Sequence, residues 1–186
     1  MTSIVDFTTR SGAIDGLIVV TMKQVTDDRG TVRELFRRST FDDAAVALGR
    51  IEQINLTETC ERGAVRGMHG EAMTKLVTVA HGRALGMYVD ARRESSTFGV
   101  VDEVHLEPGM QVLVPSGVAN GFQALTPGTQ YAYCFDREWS PAMPGIAFNP
   151  LDPVVAGRWP LEFDAADPKY LSTKDRGALA FAVVCQ

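Results

Sequence analysis

The chain has 186 residues, 45% of them hydrophobic and 22% charged, with a formal net charge of −5. That length suits one domain with short terminal arms and buries about 70% of the unfolded surface, so the core needs no covalent staples. The acidic balance lacks the basic footprint of a nucleic-acid binder. Three cysteines, Cys60, Cys134 and Cys185, are too few and too scattered for a disulfide framework. No apolar run has the length of a membrane span or follows a basic start, so a cytoplasmic protein is expected.

In chain order, residues 1–26 read as an N-terminal arm with alternating apolar residues in GLIVVTM (16–22). Residues 40–49 (TFDDAAVALG) predict a short helix, with Thr40 as N-cap, Asp43 at the capping-box position and Gly49 closing the end. From about residue 50 the texture changes to short strands punctuated by Gly and Pro. KLVTVA (75–80) is followed by a His81-Gly82 turn, and in RALGMYVDA (83–91) Leu85, Met87 and Val89 share one face. VVDEVHL (100–106) and QVLVP (111–115) follow, then a loop at SGVAN (116–120), and further strands at GFQAL (121–125) and QYAYCFD (130–136). Strands at this spacing, with turn signals between them, predict an all-β sandwich or barrel, and two facing antiparallel sheets of this kind form a jelly roll, the double-stranded β-helix of cupins. The segment from Ser140 onward is rich in Pro and Asp and reads as extended pieces and short helical turns packed on the barrel, within a single domain spanning 1–186.

Only three histidines occur, His69, His81 and His105. A metal-binding cupin gathers His and carboxylate ligands inside the barrel; His69 has Glu71 near it but no second His, and the other two are expected to be solvated. No metal site is therefore predicted. A barrel without metal can still carry acid–base chemistry if a buried His has an orienting carboxylate and a second proton donor faces it.

Several ordered motifs sharpen this. Asp27-Asp28-Arg29-Gly30 with Glu34 fits D-x-R-G-x-x-x-E; Gln53-Ile54-Asn55 is followed by Arg66-Gly67-Met68-His69; Lys75-Leu76-Val77 opens a strand. Val89-Asp90 with Arg92 and Ser96-Thr97-Phe98-Gly99 come next, then Pro115 to Phe122, Tyr133 to Pro141, Trp159-Pro160, and Leu171-Ser172-Thr173-Lys174-Asp175. This ordered set, running from 27 to 175, resembles the dTDP-4-dehydrorhamnose 3,5-epimerase family of cupins. The resemblance implies a substrate that is a nucleotide-linked 4-keto-6-deoxy sugar, whose C3 and C5 protons flank the ketone and can leave to give an enolate. It implies His69 as the base, Asp175 as its orienter, Tyr133 as the acid on the opposite face and Lys75 as the stabiliser of the enolate. It further implies that Arg29, Arg66 and Glu34, helped by Gln53 and Asn55, bind the diphosphate and sugar, that Asn120 lies near the ketone and that Trp139 stacks on the nucleotide base. No cofactor or metal is implied. A homodimer is, with the N-terminal arm paired to the partner's sheet and residues near Val32 reaching the neighbour's site.

Taken singly, each residue has a plainer reading: His69 as a satisfied core histidine, Tyr133 as a core strand residue, Asp175 as a capping-box partner of Ser172, Lys75 as a solvated strand end, Arg29-Gly30 as an ordinary turn, Glu34 as a surface charge, Trp139 as packing. The chain also departs from the family pattern. The loop GEAMT (70–74) is several residues shorter, Asn120 stands in place of a His, Val32 in place of an aromatic, and Trp139 in place of a Tyr. Such changes leave open whether C3, C5 or both are inverted. A cupin 3,4-ketoisomerase and a non-catalytic sugar-nucleotide-binding cupin are the competing readings.

Overall fold

The fold is that of a computed structural model, which describes residues 1–185. Five strands precede the first helix: β1 (Ser3–Val5), β2 (Thr8–Ser11), β3 (Ile18–Thr21), β4 (Gln24–Asp27) and β5 (Gly30–Arg33). After α1 (Arg38–Asp43) come β6 (Gln53–Thr59), β7 (Val65–Glu71), β8 (Lys75–His81), β9 (Ala84–Asp90), β10 (Val101–Leu106), β11 (Met110–Val114), β12 (Val118–Ala124), β13 (Thr129–Phe135) and β14 (Gly145–Ala147). Two short helices, α2 (Thr173–Arg176) and α3 (Phe181–Val184), close the chain.

The strands form a six-stranded sheet in the order β2-β3-β11-β8-β13-β6, a five-stranded sheet in the order β10-β9-β12-β7-β14, and a small sheet β1-β4-β5. All the strand pairings are antiparallel, the two large sheets face each other, and the result is a jelly roll. The period of two along each strand decides what lies between them. Val77, Val79, Val112, Val114 and Tyr131 face Tyr88, Val104, Leu106, Val118 and Phe122 across the main core. Phe122 stacks on Tyr131 with ring centroids 4.2 Å apart.

Strand β9 is buried at every position because its second face is also covered. Leu85, Met87 and Val89, on one face as the alternation predicts, pack with Met68, Ala119, Phe148 and Val155. The C-terminal segments thus lie on the barrel, with Ile146, Trp159, Phe181 and Val184 at the margin of that cluster. A third cluster, of Val20, Phe41, Val46, Leu48, Leu76 and Leu113, sits where the α1 segment covers the outside of the six-stranded sheet.

Two local expectations are corrected. The helix runs from Arg38 to Asp43 rather than over 40–49, and Arg37, not Thr40, occupies its N-cap without a side-chain cap. Ala45, at φ 54°, turns the chain left-handed and ends it, while the Arg38 guanidinium donates to the carbonyls of Leu48 and Gly49, so those last residues are tied down as a loop. Residues 118–120 of the expected loop belong to β12, because Val118 and Ala119 are both buried there and pair with β9. Ile18–Thr21 of the N-terminal arm pairs with β11 of its own sheet, Val19 and Val20 being more than 97% buried in this chain's own core. No helix of the described residues is long and apolar enough to cross a membrane.

Candidate active site

The open end of the barrel holds a pocket of about 660 Å³. Its walls are the inner faces of both large sheets. From the six-stranded sheet come Asn55, Thr57 and Thr59 of β6, Lys75 of β8, and Tyr133 and Phe135 of β13. Register puts Asn55 opposite Tyr133 and Thr57 opposite Tyr131, so these side chains share one face. From the five-stranded sheet come Arg66, His69 and Glu71 of β7 and Asn120 of β12.

Arg66 and His69 are three residues apart, which in a regular strand sends side chains to opposite faces. The β7–β12 register slips between them: Asn120 pairs with His69 but Phe122 pairs with Arg66. The extra residue in β7 is a bulge, and it brings both side chains to the pocket. Glycine makes the bulge feasible. Gly67 has φ 119°, and a Cβ there would lie 2.5 Å from the Cα of Gly121.

His69 Nε2 and Asp175 Oδ1 are 3.0 Å apart, across 106 residues of sequence. Asp175 sits in α2, whose N-cap Ser172 accepts from the Asp175 backbone N–H at 3.0 Å. One residue therefore makes both the capping contact and the contact with His69. Burial pushes the Asp175 carboxyl up, but the hydrogen bond and charge of His69, with Ser172, outweigh it and hold the group below its ordinary value. With Asp175 ionised, Nε2–H of His69 donates a hydrogen bond to it, and the Nδ1 lone pair is left free to act as a base.

Tyr133 approaches from the facing sheet, half-buried between Tyr131 and Phe135 with ring centroids 5.0 and 5.8 Å away. Burial, reinforced by the neighbouring Tyr131, pushes its hydroxyl well above the usual tyrosine value, so it stays protonated. Lys75 is buried rather than solvated, only 3% exposed. Its ammonium pairs with Glu71 and donates to Asn120 Oδ1 at 2.6 Å and to the His69 carbonyl at 3.2 Å. Burial lowers the Lys75 pKa, and the Glu71 carboxylate opposes that fall.

Arg66 donates to Thr59 Oγ1 at 3.0 Å and to the Glu58 carbonyl at 3.3 Å, which fixes its exposed guanidinium at the rim. Trp139 is 49% exposed and lines the pocket. Gln53 lies just outside, donating to Asn55 Oδ1 at 3.0 Å and accepting from the Trp139 N–H at 2.8 Å, so it holds two pocket residues in place. Arg29 and Glu34 are not in this chain's pocket. Arg29 is exposed on the β4–β5 turn and pairs with Asp27; Glu34 pairs with Arg37. His81 and His105 are exposed, as expected. Among the described residues no group of three or more His, Cys, Asp or Glu is gathered as a metal site would need.

Glu71, Lys174, Thr57, Thr59 and Tyr170 also line the pocket and were not foreseen. Lys174 and Glu71 were within reach of sequence reasoning, because they lie beside Asp175 and within two residues of His69. Thr57 follows from the alternation Asn55, Thr57, Thr59 on β6. Tyr170 carries no sequence signal. A second recess of about 420 Å³ opens beside His69 and Glu71, between Trp139 and Ile146.

Comparison with known proteins agrees with this geometry. The family described as dTDP-4-dehydrorhamnose 3,5-epimerase matches residues 11–182. The dTDP-4-dehydrorhamnose 3,5-epimerase of Pseudomonas aeruginosa is 33% identical over 176 residues, covering 91% of this chain and 93% of that one. NovW, a 4-keto-6-deoxy sugar epimerase of Streptomyces spheroides, superposes with a TM-score of 0.87 at 28% identity, covering 96% and 89% of the two chains. ChmJ, a 3'-monoepimerase of Streptomyces bikiniensis solved with dTDP-quinovose, gives 0.81 at 28% identity over 91% and 86%. With its family match over most of its length, its jelly roll and its His–Asp pair facing a tyrosine, the chain belongs to the dTDP-4-dehydrorhamnose 3,5-epimerase family.

Proposed function

We propose that this chain is an isomerase that inverts C3, C5 or both in a nucleoside-diphosphate-linked 4-keto-6-deoxy sugar, in deoxysugar biosynthesis. The observation that carries the reading is the placement of His69 and Tyr133 on facing sheets, at opposite sides of one pocket. Inversion needs this arrangement, because the proton must leave from one face of the ring and return to the other.

His69 Nδ1 removes the proton from the carbon next to the ketone. The C–H electron pair moves into the ring as the C–C double bond of the enolate, and the carbonyl π pair becomes the lone pair of the enolate oxygen. Asp175 stabilises the imidazolium that forms. The Tyr133 hydroxyl then delivers a proton to the other face, the enolate collapses to the ketone, and solvent resets both residues. Proton out and proton in leave the sugar's oxidation state unchanged. Lys75 and Asn120, side by side on the pocket floor, set the environment of the enolate oxygen. Arg66 faces the diphosphate and Trp139 offers a face to the base.

Arg29 and Glu34 take part in this reading only through a second copy of the chain. The small β1-β4-β5 sheet exposes Ile4, Val5, Val25 and Val32, and the edge strand β6 exposes Ile54 and Leu56. A homodimer that covers these apolar residues and the open β6 edge would deliver the β4–β5 turn to the neighbouring pocket.

Proton NMR in deuterium oxide with a dTDP-4-keto-6-deoxyglucose substrate tests the reaction. Deuterium should enter at C3, C5 or both, with inverted product. Exchange with migration of the keto group to C3 would make the chain a ketoisomerase, and no exchange would make it a binding protein.

A further inference from the structure

The ammonium of Lys75 has three N–H donors and no acceptor. All three are committed to protein: one to the Glu71 carboxylate, one to the His69 carbonyl and one to Asn120 Oδ1. With the residue only 3% exposed, no fourth donor remains to meet a substrate oxygen. The same contact settles the orientation of the Asn120 amide. An ammonium can only donate, so the atom facing it is the oxygen, and the Nδ2 group is turned away from Lys75. Nδ2 has no partner among the described residues, and Asn120 lines the pocket. Asn120 is Cα-paired with His69 on the neighbouring strand, so its free amide lies beside the base that takes the proton.

We propose that the amide of Asn120, not the ammonium of Lys75, donates the hydrogen bond to the ketone oxygen that becomes the enolate, and that Lys75 and Glu71 act by positioning that amide. The proposal rests on the epimerase reading. The buried Lys75 ammonium, paired with the half-buried Glu71, polarises the amide through Oδ1, which strengthens Nδ2–H as a donor. A neutral donor held in place suits the task, because it needs no reorganisation when charge develops on the oxygen.

The two assignments of the oxygen contact predict opposite results for Asn120→Ala. Removing the amide frees one Lys75 N–H. If Lys75 were the direct donor, the rate of deuterium entry next to the ketone would hold or rise. If Asn120 is the donor, it should fall by roughly 10²–10³-fold, while dTDP binding, measured by calorimetry, stays unchanged. If this variant fails to fold, Asn120→Asp replaces it: the carboxylate matches the amide in size and still accepts from Lys75, but it cannot donate. Exchange within a few-fold of the unmodified chain in Asn120→Asp would overturn the proposal, and loss of the same order as above would support it. As a positioning residue, Lys75 should show its effect in kcat for exchange and not in KM. Lys75→Gln combined with Asn120→Ala should add little to the loss from Asn120→Ala alone, and additive losses would return the contact to Lys75. Absence of exchange in the unmodified chain would instead reject the epimerase reading itself, so the two failures are distinct.

Discussion

Replacing Tyr133 with Phe isolates one hydroxyl. The Tyr133 ring is held between Tyr131 and Phe135, and Phe keeps those contacts. The hydroxyl makes no protein hydrogen bond among the described residues; what shifts it is burial and nearby charge. Its removal therefore leaves no buried group unpaired, and the stability change should stay within about 0.5 kcal/mol. For a domain of this size that is a shift of about 2 °C or less in Tm. The catalytic cost is separate. A positioned general acid contributes about 10²–10⁴-fold, so inversion should slow by that factor while His69, on the opposite sheet, still removes the proton. In deuterium oxide the variant should exchange the substrate proton without inverting the carbon, as deuterium returns from the face it left. Differential scanning calorimetry checks the first number, and NMR with separation of the epimeric products checks the second. Inversion at close to the unmodified rate would refute the reasoning, and Tyr133 would then be a core strand residue with another proton source on that face.

Asp175→Asn keeps the size of the side chain but cannot stabilise an imidazolium, so deuterium exchange and inversion should both fall by about 10²–10⁴-fold; equal rates would remove Asp175 from the mechanism. Asp90 is fully buried, accepts from Arg92, Ser95 and Thr97, and is held well below the ordinary carboxylate range, burial being outweighed by those bonds. A carboxylate depressed in the fold contributes stability that is fully present above its unfolded pKa of about 3.9 and is lost as pH falls below that value. Asp90→Asn should cost about 3 kcal/mol at neutral pH, roughly 6–12 °C in Tm, and should flatten this acid limb in urea titrations; an unchanged limb would show that other groups set it. Because no His cluster is present in the sequence, exhaustive chelation should leave turnover intact, and activity restored by added zinc, iron or manganese would contradict the acid–base scheme. If Arg29 serves the partner's pocket, mixing inactive Arg29→Ala and His69→Ala chains should regenerate about one quarter of the sites after subunit exchange, and no recovery would place Arg29 outside the site or the chain outside a dimer.

The sequence alone determined the class of fold and the kinds of side chain available to the site, for two physical reasons. Alternation is a local property: Leu85, Met87 and Val89 had to share a face whatever lay against them, and they do. Residue chemistry is also local, and His69, Lys75, Tyr133 and Asp175 bring their proton-carrying groups whatever surrounds them. Element ends were less legible. The α1 segment carries capping signals at Thr40 and Gly49, yet packing of Phe41 under the sheet and the reach of Arg38 to the Leu48 and Gly49 carbonyls set its limits. Asn120 read as a loop residue because Gly and Ser dominate its surroundings, whereas its place in β12 comes from strands distant in sequence.

Tertiary structure decided how the residues act together. A bulge at Gly67 puts Arg66 and His69 on the same side of β7, against the strict two-residue period, and such a slip depends on the close approach of Gly121 from another strand. Glu71 and Lys75 are four residues apart, but only folding shows that the lysine is buried and that its three donors are already used. Asp175 is simultaneously the capped residue of a short helix and the partner of a histidine 106 positions away. Arg29 and Glu34 lie outside the pocket of their own chain, in the β4–β5 turn and just after β5, beside a sheet that exposes Ile4, Val25 and Val32. Sequence spacing specifies which side chains are available; the register between strands, a long-range property fixed by burial, specifies which of them meet.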